Sequence, residues 1–334
     1  MTKSEFGMVL LALAVATFPP IRATAATADT VRAVVGPWME KQQQPGVIVV
    51  VRSGGQTQFF PFGDADKAQH RAITPDSIFE LASITKVFTT TSLAMEVLAG
   101  RMDLDDHVAK YLSYLQKNGG DIKKVTLKQL ATHTSSLPRT PGRNPDGEWN
   151  NESLMQWLAQ WRAPYPPGSK SLYSNLGVGL LGIAIANYEQ EPLIAVWQGQ
   201  FLKPLGMNHT FFDIRADAVS DVVQGYNPKG MPVKHMPSGA WPAGGRLSSS
   251  GRDMAEFLVA NLGECIDRPR ITRAMQFAQK PYFEASRKMT QALAWQRVHL
   301  VGELVVDKNG GLQGTSTYIG MLPERHIGVV VMAS

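Results

Sequence analysis

The chain has 334 residues, of which 44% are hydrophobic and 18% are charged, and its formal net charge is +5. This composition is typical of a globular protein of one or two domains and excludes a disordered or fibrous chain. There is no run of five like charges, the histidines are scattered, and Cys265 is the single cysteine. We therefore expect no nucleic-acid partner, no metal, no cofactor and no internal disulfide.

The first feature along the chain is an apolar run at residues 8–18, which follows a lysine and precedes several small residues. This pattern is typical of a secretory signal and is too short to span a membrane. The small residues are compatible with cleavage after Ala25 or after Ala28. We expect a signal peptide over residues 1–28 and a mature chain over 29–334 that is periplasmic or secreted, without a stable membrane anchor.

Strand patterns come first and last in the mature chain, and helical patterns fill the middle. A hairpin is predicted over 47–52 and 57–62. The predicted helices are 84–99, 126–133, 175–190, 193–206 and 250–263, and the later strands are 292–300, 303–309, 315–323 and 326–334. This order predicts an α+β fold. An antiparallel sheet from both chain ends (29–80 and 240–334) would be flanked by helices, with an inserted, mostly helical region over 81–239.

The first candidate for chemistry is the pair Ser83 and Lys86 in FELASITKVF. Their spacing at a helix start places both side chains on one face, one turn apart. A lysine whose pKa is lowered by burial or by another cation can take the proton of a neighbouring serine. With 20 serines and 16 lysines, chance alone gives about one such spacing, so a helix cap with a surface lysine is the alternative. The following helix is apolar on nearly all sides, which favours a buried lysine.

The second candidate is the pair Tyr173 and Asn175 in SLYSNLG. Eight tyrosines and ten asparagines give about 0.24 such spacings by chance, and one is present. We interpret Tyr173 as a proton shuttle whose phenol is acidified by neighbouring lysines, and Asn175 as a donor to a substrate carbonyl. A turn followed by an asparagine helix cap is the alternative.

The third candidate is one of two copies of the tetrapeptide KNGG. The copy that begins at Lys117 lies between helical segments with polar flanks and is interpreted as a loop. The copy that begins at Lys308 ends a strand pattern, where Gly310 and Gly311 would let a substrate lie close against the backbone. We therefore choose the second copy as the functional one.

The order of these motifs, SxxK, then YxN, then a lysine before glycine on a late strand, resembles that of the class C serine β-lactamases and the related penicillin-recognising D,D-peptidases and esterases. The resemblance extends over most of the mature chain, including PGSKSLYSNLG and PAGGRLSSSGRDMAEFL. The S-D-N pattern of class A enzymes is absent. The resemblance implies an exported hydrolase, which we expect to be a monomer, acting on a small-molecule β-lactam or a cell-wall peptide.

The resemblance also implies roles in catalysis. Ser83 would be the nucleophile that forms an acyl-enzyme, and Lys86 and Tyr173 would share the proton transfers. The backbone N–H groups of Ser83 and Gly311 would form the oxyanion hole, where one donor typically contributes about 10²–10³ in rate.

The substrate would be bound by the second and third motifs. Asn175 would bind the substrate amide, and Lys308 would stabilise the substrate carboxylate. Asn309, Gly310 and Gly311 would complete the binding strand. Asn309 stands where the family usually has threonine; it can still donate a hydrogen bond, but with different geometry.

Three further departures bear on the substrate. Trp295 and Lys308 are only 13 positions apart, which predicts a short hairpin and an open cleft. Gly244 and Gly245 stand near where related lactamases often have a tyrosine, and Trp241 is a possible replacement. The family normally has a C-terminal helix after the last strand, so here that element is either lacking or truncated. A D,D-carboxypeptidase, endopeptidase or esterase is the alternative to a β-lactamase, and a penicillin-binding sensor is a weaker one.

Overall fold

The computed structural model describes residues 24–300 and 302–334, and the side chains from residue 28 onward within them. The predicted signal peptide therefore lies mostly outside the described residues. Both candidate cleavage positions fall in a helix, Thr24–Gln42, that the sequence analysis did not predict. Residues 29–42 are thus helical, although they were assigned to the sheet part of the fold.

The helices in the described part of the chain, numbered in order, are α1 (Thr24–Gln42), α2 (Thr85–Leu98), α3 (Ser113–Asn118), α4 (Leu127–Ala131), α5 (Asn151–Gln160), α6 (Asn175–Glu189), α7 (Leu193–Trp197), α8 (Gly251–Asn261) and α9 (Pro269–Ala278). A 3-10 turn, Ala82–Ile84, leads into α2, and a π-helical turn, Gln198–Leu202, follows α7.

The strands, in the same numbering, are β1 (Gly46–Ser53), β2 (Gln56–Asp66), β3 (Arg71–Ala72), β4 (Ile78–Glu80), β5 (Gly225–Tyr226), β6 (Pro232–Val233), β7 (Ser248–Ser250), β8 (Phe283–Ser286), β9 (Met289–Gln291), β10 (Gln296–Leu300), β11 (Glu303–Leu312), β12 (Thr315–Leu322) and β13 (Ile327–Ala333). Nine of them form one sheet in the order β3-β2-β1-β13-β12-β11-β10-β9-β8.

The two ends of the described chain meet in the middle of this sheet. Strand β1 pairs with β2 on one side and with β13 on the other, so that Val47 lies opposite Ala333. All named pairings in the sheet are antiparallel. The predicted α+β class and the predicted sheet from both chain ends are confirmed.

The sheet is covered on both faces, which explains the unbroken apolar runs in β1 and β13. On one face, Val47 and Val49 pack with Val31 and Val35 of α1. On the other face, α8 contacts β1 and β13 and contributes to the main core. Helices α8 and α9 lie within residues 240–334, so that segment is not purely sheet, because covering the second face requires a helix there.

The helical region is built around α2. Eleven of its residues are buried, including polar ones, as predicted from a sequence that is apolar on nearly all sides of the helix. The helix ends before Gly100, whose φ is +71°. Helices α6 and α9 both pack against it. The predicted helix at 126–133 is shorter than expected, since α4 ends at Ala131. Strand β11 passes the 3-10 turn before α2, and this crossing positions the candidate site.

Candidate active site

Ser83 lies in the 3-10 turn that precedes α2. Ala82 before it has a φ of +50°, a left-handed conformation that alanine rarely adopts. Hydrogen bonds on both sides hold the chain there. The N–H of Leu81 donates to the carbonyl oxygen of Leu247 at 2.8 Å, and Thr317 Oγ1 donates to the Leu81 carbonyl oxygen at 2.8 Å. The surrounding structure therefore holds Ser83 in one orientation.

Lys86, one turn into α2, is fully buried, as the sequence predicted. Its Nζ lies 3.2 Å from Ser83 Oγ and donates to Asn175 Oδ1 at 2.8 Å and to the carbonyl oxygen of Gly244. Burial lowers the pKa of Lys86 well below its ordinary value, and nearby cations, Lys308 first, lower this pKa further. The neutral amine is therefore favoured more than in an exposed lysine.

Tyr173 donates its phenolic hydrogen to Ser83 Oγ at 2.5 Å. The Nζ atoms of Lys86 and Lys308 each lie 4.8 Å from the centroid of its ring, so the predicted lysine neighbours are present. The predicted acidification is wrong. Burial raises the pKa of Tyr173 more than the Ser83 hydrogen bond and the Arg139 charge lower it. The neutral phenol is the favoured form.

Asn175 is the first residue of α6, but it does not cap that helix. Ser174 is the cap, because its Oγ accepts a hydrogen bond from the N–H of Gly177 at 2.8 Å. The Oδ1 of Asn175 is instead held by Lys86, which leaves the amide nitrogen as the donor. The alternative interpretation as an asparagine cap is therefore wrong.

Lys308 belongs to β11 and is buried, with 2% of its surface exposed. Burial lowers its pKa to about 8. The other KNGG copy is elsewhere, since Lys117 is an exposed residue in the last turn of α3 rather than part of a loop. The structure thus brings Lys308, and not Lys117, to Ser83 and Tyr173.

The two glycines of the second copy have different surroundings. A Cβ on Gly310 would lie 2.4 Å from the carbonyl oxygen of Leu81 and 3.0 Å from the nitrogen of Ser83. A Cβ on Gly311 would meet nothing within 4 Å. Asn309, between Lys308 and these glycines, is exposed. Glycine at position 310 is required by the close crossing of β11 and the 3-10 turn.

A cleft of about 440 Å³ is lined by Ser83, Tyr173 and the second KNGG copy, whereas Lys86 and Asn175 are not among its lining residues. Its lining is Ser83, Arg139, Tyr173, Gln296, Lys308, Asn309, Gly310, Gly311, Ser316 and Thr317. None of these side chains is acidic. The predicted short hairpin is confirmed, because β10 and β11 are joined by two residues and Leu300 pairs with Glu303.

The stretch WPAGGRL contacts Lys86 and Asn175 and so helps to position them. The carbonyl oxygen of Gly244 accepts from Lys86, and a Cβ on Gly244 would lie 2.5 Å from the Asn175 carbonyl oxygen. Trp241 packs over Gly179 of α6 and lies 6.3 Å, centroid to centroid, from Trp149. Trp241 is not among the residues that line the cleft.

Sequence reasoning missed two site residues in HTSSLPR. The ring of His133 lies 4.5 Å from that of Tyr173, its carbonyl oxygen accepts from the N–H of Leu172 at 2.7 Å, and its Nδ1 accepts from the N–H of Ser174 at 3.3 Å. The Cζ of Arg139 lies 5.3 Å from the Tyr173 centroid. In the sequence these two residues lie in a polar loop between two helices, and that pattern does not indicate that the loop contacts Tyr173.

The described residues contain no helix that combines the length and the apolar character needed to cross a membrane. They also contain no cluster of three or more His, Cys, Asp or Glu side chains suited to a metal ion.

Comparison with known proteins identifies relatives over nearly the whole chain. A family model described as Beta-lactamase matches residues 31–334. The beta-lactamase of Lysobacter lactamgenus is 28% identical over 352 residues, which cover 96% of this chain and 90% of that protein. The beta-lactamase of Yersinia enterocolitica is 29% identical and covers 100% of this chain and 95% of that protein.

Solved structures show the same likeness. A class C beta-lactamase from Rhodobacter sphaeroides has a TM-score of 0.82 at 29% identity, covering 92% of this chain and 93% of that one. A D-alanine carboxypeptidase from Burkholderia cenocepacia has a TM-score of 0.83 at 27% identity, covering 91% and 93%. The chain belongs to the beta-lactamase family and is a serine hydrolase similar to its class C members.

Proposed function

We propose that this chain is an exported serine β-lactamase that opens the ring of penicillins, cephalosporins or carbapenems through an acyl-enzyme on Ser83. The observation that carries the proposal is the environment of one atom. Ser83 Oγ lies 3.2 Å from Lys86 Nζ and accepts the hydrogen of Tyr173 at 2.5 Å. A nucleophile with a base on one side and an acid on the other is the arrangement that acyl transfer requires.

The hydrogen bonds of Lys86 support its role as the base. Asn175 Oδ1 and the Gly244 carbonyl oxygen can only accept, so a neutral Lys86 amine uses its two hydrogens on them. Its lone pair then faces Ser83 Oγ and can take the hydroxyl proton. The raised pKa of Tyr173 keeps its phenol neutral, so that it acts as a donor rather than as the first base.

The chemical step follows from these positions. Ser83 Oγ attacks the lactam carbonyl carbon while its proton passes to Lys86. The N–H groups of Ser83 and Gly311 would stabilise the charge on the carbonyl oxygen. The C–N bond of the ring then breaks, and the ring nitrogen receives a proton through Tyr173, which is replenished from Lys86. Attack of water on the ester releases the opened product and restores Ser83.

The remaining residues would bind the substrate. The side-chain ammonium of the buried Lys308 makes no hydrogen bond to another described residue, so it is available for a substrate carboxylate in the cleft. The amide nitrogen of Asn175 is available to donate to the substrate amide, since its oxygen is held by Lys86. Asn309 is exposed on β11 and can donate a further hydrogen bond.

A second candidate function is a D,D-carboxypeptidase, endopeptidase or esterase that uses the same Ser83. The short connection between β10 and β11 favours it, because it leaves the cleft more open for a longer substrate. The Asn309 substitution also favours it, because asparagine donates its hydrogen bond with a different geometry from threonine. One solved relative is itself described as a D-alanine carboxypeptidase.

An intact-mass time course with benzylpenicillin, run beside Ser83→Ala, separates the two candidates. A β-lactamase gives a transient adduct while hydrolysed drug accumulates. A persistent adduct without turnover would support the peptidase or esterase instead. An adduct on Ser83→Ala would show that Ser83 is not the nucleophile.

The cellular form of the protein is part of the proposal. We expect a monomeric β-lactamase-like domain over residues 29–334, periplasmic or secreted after cleavage of the leader. N-terminal sequencing of the exported protein should begin at Ala26 or Asp29. A product that retains residues 1–25 outside the cytoplasm would contradict the leader assignment.

A further inference from the structure

Arg139 lies in the loop before α5, whereas the other cations of the site, Lys86 and Lys308, belong to a helix and a strand. Its carbonyl oxygen accepts the N–H groups of Asn175 and Leu176 at 3.0 and 3.2 Å, which ties its backbone to the start of α6. Its guanidinium lies over the ring of Tyr173 and lines the cleft. Among the described residues it has no acidic or hydrogen-bonding partner for that guanidinium.

Arg139 and Lys308 are the two charged side chains that line the cleft. Both lie within 5.3 Å of the centroid of the Tyr173 ring, but they come from different parts of the chain, the loop before α5 and the strand β11. No carboxylate of the lining neutralises them. The cleft therefore presents two positive charges to a substrate that needs only one for its ring carboxylate.

A β-lactam carries that ring carboxylate on one side of the scissile bond and its acylamino side chain on the other. We infer that Arg139 binds a second anionic group, on the acylamino side chain, and so makes the enzyme selective for dianionic β-lactams. Guanidinium pairs with carboxylate or sulfonate through two parallel N–H donors, which gives the contact direction as well as charge. The inference rests on the proposed function, because it assigns Lys308 to the ring carboxylate.

Arg139 also acts on the ionisable groups of the site itself. The charge of Arg139 helps to lower the pKa values of Lys86 and Lys308, and it opposes the rise that burial causes in the pKa of Tyr173. Those effects act on every substrate alike. A contact to the side-chain anion acts only on substrates that have one, so a ratio between two substrates isolates it.

The test compares benzylpenicillin with α-carboxybenzylpenicillin, which differ by one side-chain carboxylate. We expect the ratio of kcat/KM for the dianion over the monoanion to fall about twofold to fivefold in Arg139→Gln, the range of an exposed ion pair. Arg139→Lys, which keeps the charge but not the two parallel donors, should retain only part of the ratio. Arg143→Gln, an exposed charge of the same loop outside the cleft lining, should leave it unchanged. The wild-type ratio should also fall as salt is raised, because Arg139 is exposed and salt screens its charge.

A ratio that changes less than twofold in Arg139→Gln, or changes as much in Arg143→Gln, would overturn the inference while the lactamase proposal stands. If neither penicillin is turned over, the lactamase proposal fails. The rates at which the two penicillins acylate Ser83 are then measured by intact mass. The ratio of these two rates replaces the ratio of kcat/KM, and the same twofold limit and Arg143→Gln control decide the role of Arg139.

Discussion

Gly310 passes so close to Leu81 that a Cβ at position 310 would lie 2.4 Å from the Leu81 carbonyl oxygen. The same carbonyl oxygen is held by Thr317, and Ser83 follows two residues later. A side chain at 310 would therefore push β11 away from the nucleophile, since the group it meets is backbone and cannot rotate aside.

We expect Gly310→Ala to lower kcat/KM for a penicillin by about 10² or more and to cost about 1–3 kcal/mol of stability. Gly311→Ala is the matched control and should stay within a few-fold of wild type, because alanine keeps the backbone N–H assigned to the oxyanion hole and its Cβ would meet no protein atom within 4 Å. Steady-state kinetics and thermal melting of both variants check this. Equal losses in the two variants would show that the crossing does not position Ser83.

The two KNGG copies provide a second comparison. Lys308→Ala should lose at least about tenfold in kcat/KM, since it removes the buried ammonium beside Tyr173. Lys117→Ala should stay within a few-fold, because Lys117 is exposed on α3, away from the cleft. Kinetics with one penicillin are sufficient, and similar losses would mean that the functional copy was misassigned.

The pKa shifts predict a bell-shaped pH profile. As the pH falls through the lowered pKa of Lys86, the amine gains a proton and can no longer act as a base, so acylation slows. As the pH rises through about 8, Lys308 loses its charge and its attraction for the substrate carboxylate, so KM rises.

The alkaline limb can be assigned with a matched substrate. A penicillin methyl ester lacks the ring carboxylate, so its KM should not rise near pH 8. Rate measurements between pH 5 and pH 10 on the free acid and the ester check the assignment. The same alkaline limb in both substrates would rule out the loss of the Lys308 charge as its cause.

His133 holds the residues on both sides of Tyr173, because its carbonyl oxygen accepts from the Leu172 N–H and its Nδ1 accepts from the Ser174 N–H. Its ring also contacts the ring of Tyr173. Its φ of +59° is a conformation that asparagine also tolerates. We expect His133→Ala to lower kcat about tenfold by releasing the Tyr173 segment. His133→Asn, which keeps a side-chain acceptor, should retain more activity. If both variants have equal kcat at equal melting temperature, the Nδ1 contact does not position Tyr173.

The central strands could be predicted because their apolar sequence pattern matches their burial in the folded protein. The runs around Val47 and Val331 are apolar at every position, and both faces of those strands are covered. Helix α1 was missed although Val31, Val35 and Trp38 form a buried stripe at helical spacing. The stripe lies beside the assumed cleavage position, and residues 29–80 were instead assigned as a whole to the sheet part of the fold.

The site was predicted to the extent that its residues lie in spaced motifs. Ser83 and Lys86 are one helical turn apart, so their contact follows from local geometry. The contact of Lys86 with the Gly244 carbonyl oxygen and the position of Arg139 depend on how distant loops meet, which no local spacing specifies. The pKa of Tyr173 was predicted in the wrong direction because burial, which outweighs the neighbouring charges, is a tertiary property.

The pairing of β1 with β13 has a consequence for how the protein folds. It joins Val47 to Ala333 across almost the whole chain, and contacts of such long sequence separation form late, because a large loop must close first. Until residues 327–333 have been synthesised, the hairpin of β1 and β2 has one unpaired, strongly apolar edge. Such an edge can pair with another chain, so the slow step of folding is also the step at which aggregation competes.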